Sequence, residues 1–310
     1  MLRTVQHPSE LNLAPEERTI ITIGKFDGLH PGHQALIRAA AEEAEARRRE
    51  GMAVSSVVFA INSTQTTILS EQERRDMLEE MGIDILIECP LKPAFIRTGA
   101  EEFITGTLVG MLHVLKVITG EDFRFGYGRL GTGRMLAEYG EKLGFSAGTL
   151  PDVVVGGAKV SSSRIREAVS SGDMELAGAL LGYPFFVTGE IIHGRQIGRT
   201  IGVPTANLIT DFSKLLPPNG VYYTSSDVSG RSYFGVTNVG TKPTVDGHFI
   251  GIETYFFDCE EDLYGADLKV KLLHFARPER KFASLIELRK QITKDEEGAR
   301  AYFAKKMIDE

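Results

Sequence analysis

The chain has 310 residues, of which 42% are hydrophobic and 25% charged, a composition typical of a folded protein with room for two domains. Its net charge of −7 disfavours bulk binding to nucleic acid or to an anionic membrane through a basic surface, so we expect neither partner. Two cysteines without metal-ligand spacing, no secretion-signal pattern and no apolar run of membrane-spanning length predict a cytoplasmic location.

Short apolar runs alternate with amphipathic stretches in the first half of the chain. Strands are predicted over residues 20–23, 54–59, 83–87 and 114–119. Helices are predicted from Gln34 to Gly51, after a capping-box sequence at residues 70–73, and over 100–112. This alternation predicts an α/β domain with a doubly wound parallel sheet, whose ligands bind beyond the carboxyl ends of the strands.

The turn after the first strand, residues 24–33, leads into a helix start. Gly24 and Gly28 allow a tight turn and a close approach of a ligand to the backbone. The helix start offers free N–H groups and the positive end of the helix dipole to an anion. His30 and His33 lie on its rim, where imidazoles can donate hydrogen bonds to phosphate oxygens. The turn therefore predicts a phosphate site.

Two later segments are expected at the same edge of the sheet. A glycine-rich loop containing Asp122 follows the fourth strand. Further on, Ser162 and Ser163 precede a helix, where hydroxyls can cap the helix and bind phosphate oxygens. Arg166 lies one turn inside that helix and can bind a phosphate through two parallel hydrogen bonds. Alone, these segments are equally consistent with a plain loop and a plain N-cap.

The second half of the chain has a different pattern. The sequence breaks after Gly182, so we predict domains at residues 1–182 and 183–310. Short strands separated by turns are predicted over 187–192, 220–225, 233–239, 250–258 and 268–275. They predict a small antiparallel β-barrel, closed by a helix from Ser284 and followed by a second helical stretch.

Residues 189–207 carry one candidate site of this barrel. Gly189, Gly198 and Gly202 allow a loop that approaches phosphates closely. Thr205 and Asn207 offer a hydroxyl and an amide oxygen two positions apart. On an extended chain these oxygens face the same side and can share Mg²⁺ with ATP phosphates, although such a segment is more often a plain turn.

Glu253 is the second candidate site. The alternation of a strand places it on the same face as Tyr255 and Phe257. A carboxylate on an apolar face is desolvated, which suits a general base. A glutamate that points to solvent from an edge strand is the plainer alternative.

Several of these motifs resemble those of one family. His-x-Gly-His at residues 30–33 is similar to the nucleotidyltransferase signature. Together with Gly-x-Phe-Asp-Gly before it and Gly-x-Asp-Phe-Arg-Phe-Gly at 120–126, it resembles the adenylyltransferase half of bacterial bifunctional riboflavin kinase/FAD synthetases. Ser-Ser-Ser-x-x-Arg at 161–166 and Pro-Thr-Ala-Asn at 204–207 extend the resemblance over nearly the whole chain. Ser163 stands where threonine is usual, and Lys242 where many relatives have arginine.

The resemblance implies two reactions with ATP as co-substrate and Mg²⁺ as cofactor. The second domain would phosphorylate riboflavin to FMN, with Glu253 as the base and with Glu253 and Arg277 as flavin contacts. The first domain would transfer AMP from a second ATP to FMN, giving FAD and pyrophosphate, with His30, His33 and Arg166 as catalytic residues. The residues implied in binding ATP and its phosphates are Gly24, Phe26, Asp27, Gly28, His30, His33, Asp122, Ser162, Ser163, Arg166, Gly189, Gly198, Gly202, Thr205 and Asn207.

One segment departs from the family pattern. Relatives often carry Phe-x-Pro-His-Pro after the second strand, whereas residues 59–63 here are Phe-Ala-Ile-Asn-Ser. One alternative is therefore a riboflavin kinase whose first domain is a weak or regulatory nucleotide- or flavin-binding module. The other is a different adenylyltransferase or an aminoacyl-tRNA-synthetase relative, since these share His-x-Gly-His. The barrel, and the lack of a Lys-Met-Ser-Lys-Ser-like loop, argue against the latter.

Overall fold

The computed structural model describes residues 1–62, 66–192, 203–244, 247–259, 261 and 263–309. The chain divides into two compact units, Met1–Ser162 and Ser163–Glu310. This division lies before the domain boundary that the sequence predicts at Gly182, and it assigns the intervening helices to the second unit. The boundary at Gly182 itself stays a prediction.

The first unit is built on a parallel sheet. Its strands are β1 (Arg3–Val5), β2 (Arg18–Gly24), β3 (Val54–Asn62), β4 (Ile85–Pro90), β5 (Val114–Gly120), β6 (Arg124–Phe125), β7 (Gly131–Thr132), β8 (Ser146–Leu150), β9 (Val154–Val155) and β10 (Ala158–Lys159). Six of them form the sheet, in the order β1-β4-β3-β2-β5-β8, while β6–β7 and β9–β10 are two small antiparallel pairs. The order runs outward in both directions from β2, so the doubly wound sheet that the sequence predicts is confirmed.

The helices of this unit connect its strands. They are α1 (Pro31–Arg49), α2 (Glu71–Glu80), α3 (Pro93–Ile96), α4 (Ala100–Glu102), which continues as a π-helix over Phe103–Met111, and α5 (Gly133–Leu143). The predicted capping box is present: the Ser70 hydroxyl accepts from the Glu73 amide, and the Glu73 carboxylate accepts from the Ser70 amide. The single helix predicted over 100–112 is α-helical only at its start and π-helical over Phe103–Met111. A π-helix is often found at functional sites.

Strand β2 has a core on each of its faces, which explains its unbroken apolar sequence. Ile21 and Ile23 pack into one cluster of buried side chains, and Ile20 packs into another. Because both faces are covered, every side chain from Thr19 to Ile23 is buried, as expected for an interior strand of a parallel sheet.

The second unit begins with helices and continues as a barrel. Its elements are α6 (Ser162–Ser171), α7 (Met174–Leu181), β11 (Phe186–Ile192), β12 (Ala206–Ile209), β13 (Gly220–Val228), β14 (Arg231–Thr244), β15 (Gly247–Phe256), β16 (Asp267–Pro278) and α8 (Leu285–Asp309). The barrel closes in the order β11-β12-β15-β14-β13-β16 with antiparallel pairing throughout, as the sequence predicts.

Two details of the second unit differ from the sequence predictions. Strand β12 was not among the predicted strands, because it is only four residues long and a glycine-rich segment precedes it. The two predicted C-terminal helical stretches form one continuous helix, α8. Ala299 and Phe303 of α8 pack on Val221, Val236 and Phe257 of the barrel, so an apolar stripe holds the second half of the helix against the barrel.

Candidate active sites

The turn between β2 and α1 has an unusual backbone. Phe26 and Leu29 have positive φ angles of 48° and 34°, and Gly28 has a φ of 83°. Left-handed conformations are strained for residues with side chains and persist only where the surroundings enforce them. Here both side chains are fully buried, so apolar packing fixes the path of the turn. The turn is therefore held rigidly at the carboxyl end of β2.

His30 and His33 form a stacked pair at the start of α1. Their ring centroids lie 3.7 Å apart with an interplanar angle of 19°, and the Phe26 ring lies 5.2 Å from that of His33. His30 is the N-cap of α1, and its Nδ1 atom accepts a hydrogen bond of 3.4 Å from the His33 amide. The Nδ1 atom of His33 is buried and has no hydrogen-bond partner in the described part of the chain.

Burial controls the charge of this pair. The pKa of His30 is lowered to about 4, mainly by burial; a backbone hydrogen bond raises it in part, and the positive charge of Lys159 makes a smaller lowering contribution. Burial also lowers the pKa of His33 well below its usual value, with a smaller contribution from His30. Both rings are therefore uncharged near neutral pH. Because Nδ1 of His30 is an acceptor, its proton lies on Nε2, which is left to donate.

Asp27 and Ser162 tie three segments together around the turn. The Oδ1 atom of Asp27 accepts a hydrogen bond of 2.7 Å from the Ile68 amide, in the segment between β3 and α2. The Ser162 hydroxyl donates a bond of 2.8 Å to the backbone oxygen of Asp27. These contacts give Asp27 and Ser162 a positioning role, beside the phosphate contacts that the sequence predicts for them.

A cavity of about 630 Å³ opens in the first unit next to the histidines. Six of the residues predicted to bind ATP line it: Gly24, Phe26, His30, His33, Asp122 and Ser162. Asp27 and Gly28 are not among its lining residues and lie in the turn behind it. The structure therefore brings the turn at 24–33 and the loop that contains Asp122 together around one cavity. This is expected, because both segments follow the carboxyl ends of strands in a parallel sheet.

The cavity contains a charged group that the sequence analysis missed. Lys159 forms ion pairs with Asp122 and with Asp152, the latter at 2.7 Å, and all three residues line the cavity. The ion pair with Lys159 also lowers the pKa of Asp122. The signal was present in the sequence: Gly156-Gly157 is a hairpin turn, and it brings β10 back beside Asp152.

An aromatic wall forms another part of the cavity and was also missed. Four phenylalanines contribute to it: Phe95, Phe103, Phe123 and Phe125. The rings of Phe123 and Phe125 are stacked at 5.5 Å, and that of Phe103 lies 5.7 Å from that of Phe125. The Phe-x-Phe spacing of Phe123 and Phe125 is visible in the sequence, whereas only the fold shows that Phe95 and Phe103 join them.

The segment that departs from the family pattern lies at this wall. Ile61 lines the cavity, at a position where relatives often have proline. Strand β3 continues through Asn62 and pairs Ile61 with Cys89 of β4. Proline cannot donate to such a ladder, so its absence allows β3 to extend this far.

In the second unit, three polar residues form a row across neighbouring strands. Asn207 of β12 and Asn238 of β14 are each directly opposite Glu253 of β15. Thr254, the next residue, is fully buried and bonded to Thr237 inside the barrel, so Glu253 lies on the outer face. Its side chain is half-buried and that of Asn207 is buried. The predicted face shared by Glu253, Tyr255 and Phe257 is the one against which α8 packs.

Arg277 lies further along the same barrel, in β16. Its guanidinium group makes two hydrogen bonds to the Asp295 carboxylate of α8, of 2.9 and 2.7 Å. Asp295 also accepts a bond of 2.7 Å from the Gln291 amide. Nearby, the Asn238 amide donates a bond of 3.2 Å to Glu279. Arg277 is thus held in one orientation by α8, while its predicted contact with flavin stays a prediction.

The remaining predicted residues are placed as follows. Gly189 lies in β11, where an added Cβ atom would stand 2.2 Å from the Ile209 carbonyl oxygen, so barrel packing already requires glycine there. Gly198 and Gly202 lie outside the described residues. Ser163 is exposed and Arg166 is half-buried, both in α6 of the second unit. Thr205 is half-buried and directly precedes β12.

None of the helices described is long and apolar enough to cross a membrane. Nor do the described histidine, cysteine, aspartate and glutamate side chains include a group of three or more placed to hold a metal ion. The two cysteines, Cys89 and Cys259, are free thiols.

Known proteins resemble the chain over almost its full length. Residues 13–164 match the FAD synthetase family and residues 181–303 match the riboflavin kinase family. A bifunctional riboflavin kinase/FMN adenylyltransferase of Escherichia coli K12 is 36% identical, with 97% of this chain and 98% of the relative covered. Its Bacillus subtilis counterpart is 34% identical, with 97% of each chain covered.

A solved structure supports the fold. The crystal structure of a Streptococcus pneumoniae protein described as a macrolide-efflux protein aligns with a TM-score of 0.82 and 29% identity, covering 96% of this chain and 98% of that one. Because both family matches are present, the bifunctional interpretation is favoured over a kinase alone. By these full-length matches, the chain belongs to the family of bifunctional riboflavin kinase/FMN adenylyltransferases.

Proposed function

We propose that the cavity of the first unit binds ATP and FMN for adenylyl transfer, and that the row around Glu253 in the second unit carries out the phosphorylation of riboflavin. The chain therefore makes FMN from riboflavin and ATP, and then FAD and pyrophosphate from FMN and a second ATP. The observation that supports the first assignment best is the stacked His30–His33 pair at the N-terminus of α1. The pair lies beside a cavity that has a charged part and an aromatic part.

ATP would occupy the charged part of the cavity. The N–H groups at the start of α1 and the neutral imidazoles can donate hydrogen bonds to phosphate oxygens. The Nε2–H of His30 is suited to this, because the Nδ1 atom of that ring already accepts the bond from the His33 amide. Neutral donors fixed in place stabilise the charge that develops on the phosphates without needing to reorganise.

The flavin ring of FMN would pack against the aromatic wall. A flat tricyclic ring suits stacked and tilted phenylalanine side chains, and Phe123 and Phe125 already form such a surface. The phosphate of FMN would then point toward the histidines. In the reaction, an oxygen of this phosphate bonds to the α-phosphorus of ATP as the bond from that phosphorus to the bridging oxygen breaks. Pyrophosphate leaves with the electron pair, and no protein nucleophile is needed.

In the second unit, Glu253 would accept the proton of the riboflavin hydroxyl that attacks the γ-phosphorus of ATP. Mg²⁺ is proposed at Thr205 and Asn207, whose hydroxyl and amide oxygens are ligand types that Mg²⁺ accepts alongside phosphates. Asn207 and Glu253 lie directly opposite each other, so the proposed base and the proposed ligand share one site. When bound, Mg²⁺ would neutralise part of the phosphate charge.

A cytoplasmic location is proposed as well, in keeping with two free cysteines.

Substitution of His33 tests the first assignment. Asparagine in place of His33 keeps a polar group but removes the ring that stacks on His30, so we expect FAD formation from FMN to fall by a factor on the order of 10² or more. FMN formation from riboflavin should be unchanged. His7→Asn serves as the matched control, because His7 is an exposed N-cap residue and asparagine also caps helices. Equal FAD formation in the two variants would contradict the assignment.

A further inference from the structure

A buried cluster of charged side chains joins helix α2 to the parallel sheet. Glu88 of β4 is only 4% exposed, and its two carboxylate oxygens accept hydrogen bonds from different arginines of α2. Oε1 accepts a bond of 2.6 Å from Arg74, whose side chain is 6% exposed, and Oε2 accepts one of 3.1 Å from Nε of Arg75. Charged groups removed from water to this extent are costly unless they stay paired. The cluster therefore permits little movement of α2 on β4.

The start of α2 is connected to the turn that carries the histidines. Ser70 and Glu73 close the capping box, and both side chains are buried. Two residues before Ser70, the Ile68 amide donates its bond of 2.7 Å to Asp27 of the turn. The Ile68 side chain is fully buried and lies against Gly28, where an added Cβ atom would stand 3.0 Å from Ile68 Cδ1. A shift of α2 on the sheet therefore reaches the turn through Ile68.

The turn itself tolerates little displacement. Packing already holds Phe26 and Leu29 in left-handed conformations, and His30 follows them directly. An apolar contact would also hold α2 on the sheet, but such contacts are non-directional. Carboxylate and guanidinium groups instead pair through hydrogen bonds of defined geometry. The ionic cluster thus specifies where α2 lies, beyond keeping it attached.

We propose that Glu88 is a positioning residue for adenylyl transfer. By holding Arg74 and Arg75 in one geometry it fixes α2, and through Ile68 it fixes the turn that presents His30. The inference rests on the proposed function of the first unit. The three charged side chains of the cluster are not among the described residues that line the cavity, so Glu88 acts through the turn and contacts neither substrate. Because the turn aligns groups for the transition state, the effect should appear in kcat for FAD formation more than in KM for ATP.

An apolar double variant of the full-length protein, Arg74→Met with Glu88→Leu, tests this. Replacing a buried ion pair with apolar side chains is often neutral or stabilising, so the variant should unfold at no lower a urea concentration than the wild type. Nevertheless, kcat for FAD formation should fall about ten- to a hundredfold, because the turn is no longer held in place. FMN formation should be unchanged. The Ile68 amide should exchange faster with solvent, while the Ile20 amide in β2 keeps its protection.

Two further variants complete the experiment. Asp84→Asn is the matched control, because Asp84 pairs with Arg48 at 2.8 Å directly before β4, at the opposite end of that strand from the cavity. It should leave kcat for FAD formation unchanged, even where stability falls. If the double variant does not fold, Arg75→Met takes its place with the same measurements, since Arg75 is 34% exposed and its loss leaves the more buried pair intact.

Three results would contradict the inference. One is a wild-type kcat for FAD formation in the folded variant. Another is a loss of kcat with faster exchange at Ile20 as well as at Ile68, since the cluster would then only support the fold. If the wild-type protein forms no FAD, the proposed function of the first unit fails. In that case exchange still tests the positioning role by itself, and an unchanged rate at Ile68 would refute it.

Discussion

Asn207 and Glu253 are directly opposite each other in the neighbouring antiparallel strands β12 and β15. Opposite positions place two side chains on one face of the sheet with their Cβ atoms about 5 Å apart. The sequence analysis treated the Thr-x-Asn segment and the glutamate as two separate candidates. The pairing joins them into one site, with Asn238 on the other side of Glu253.

This arrangement predicts a selective loss when Glu253 is changed. Glu253→Gln keeps the size and polarity of the side chain but cannot accept the hydroxyl proton, so FMN formation should fall by a factor of roughly 10² or more. FAD formation from supplied FMN should be unaffected. The two rates are measured separately, with riboflavin and with FMN as the substrate.

Glu190→Gln is the matched control for this variant. Glu190 is an exposed glutamate of β11 in the same barrel, opposite Ile209 of β12. Its substitution should leave both rates unchanged. A wild-type rate of FMN formation in Glu253→Gln would remove the base assignment, and an equal loss in both reactions would indicate misfolding instead.

The second unit should function without the first. We predict that a fragment of residues 183–310 folds and forms FMN, because the barrel has its own apolar interior. The structure adds that a fragment of residues 163–310 should be more stable. It retains α7, whose Glu175 lies 2.6 Å from His274 of β16, and Gly172, which packs near Phe275. Urea unfolding of both fragments measures the difference, and an unfolded or inactive longer fragment would contradict the prediction.

Acid should destabilise the first unit through its histidines. The pKa of His30 is lowered to about 4 in the folded protein, below its usual value of 6.5, so the unfolded chain binds more protons between these values. Stability should therefore fall as pH decreases through this window, by about 2 kcal/mol between pH 7 and pH 5. The measurement is amide exchange of the buried residues Ile20 and Ile21, corrected for intrinsic rates. His30→Gln should lose the part of this pH dependence that His30 contributes and keep the part from His33, whose pKa is also lowered. An unchanged dependence in that variant would exclude His30 as a source.

The altered segment at the end of β3 predicts that FMN accumulates before FAD. Ile61 lines the cavity, and residues 61–63 lack the ring and the stiff turn that Pro-His-Pro would supply beside the flavin. Misplacing the attacking phosphate by about 1 Å can cost on the order of 10²-fold in rate. The defect should appear in kcat/KM for FMN more than for ATP. The triple variant I61P/N62H/S63P should raise kcat/KM for FMN, and equal rates of the two steps in the wild-type protein would show the departure to be harmless.

Local patterns were sufficient to predict much of this molecule from sequence. The apolar run at 20–23, the glycine turn and the capping box at Ser70 are each determined by interactions within a few residues. The structure confirms the strand and the capping box. The alternation of elements was enough for the sheet and the barrel, because parallel and antiparallel arrangements leave different spacings.

What the sequence did not reveal depends on contacts between distant segments. Phe95 and Phe103 join Phe123 and Phe125 only through the packing of α3 and the π-helix. The Gly156-Gly157 turn signals the hairpin that brings Lys159 beside Asp152, whereas the ion pair of Lys159 with the distant Asp122 depends on the fold. The charge of the histidines also depends on burial, which no local pattern reports.

The central claim is that two separate sites act in sequence, with free FMN as the intermediate. Mixing two full-length variants, each defective in one of the two reactions, tests it most directly. Glu253→Gln supplies an intact first unit, and His33→Asn supplies an intact second unit. Each variant alone, given riboflavin, ATP and Mg²⁺, should form little FAD. The mixture should form FAD after a lag during which FMN, separated by chromatography, rises and then falls. A mixture that forms FMN but no more FAD than the variants alone would contradict the account.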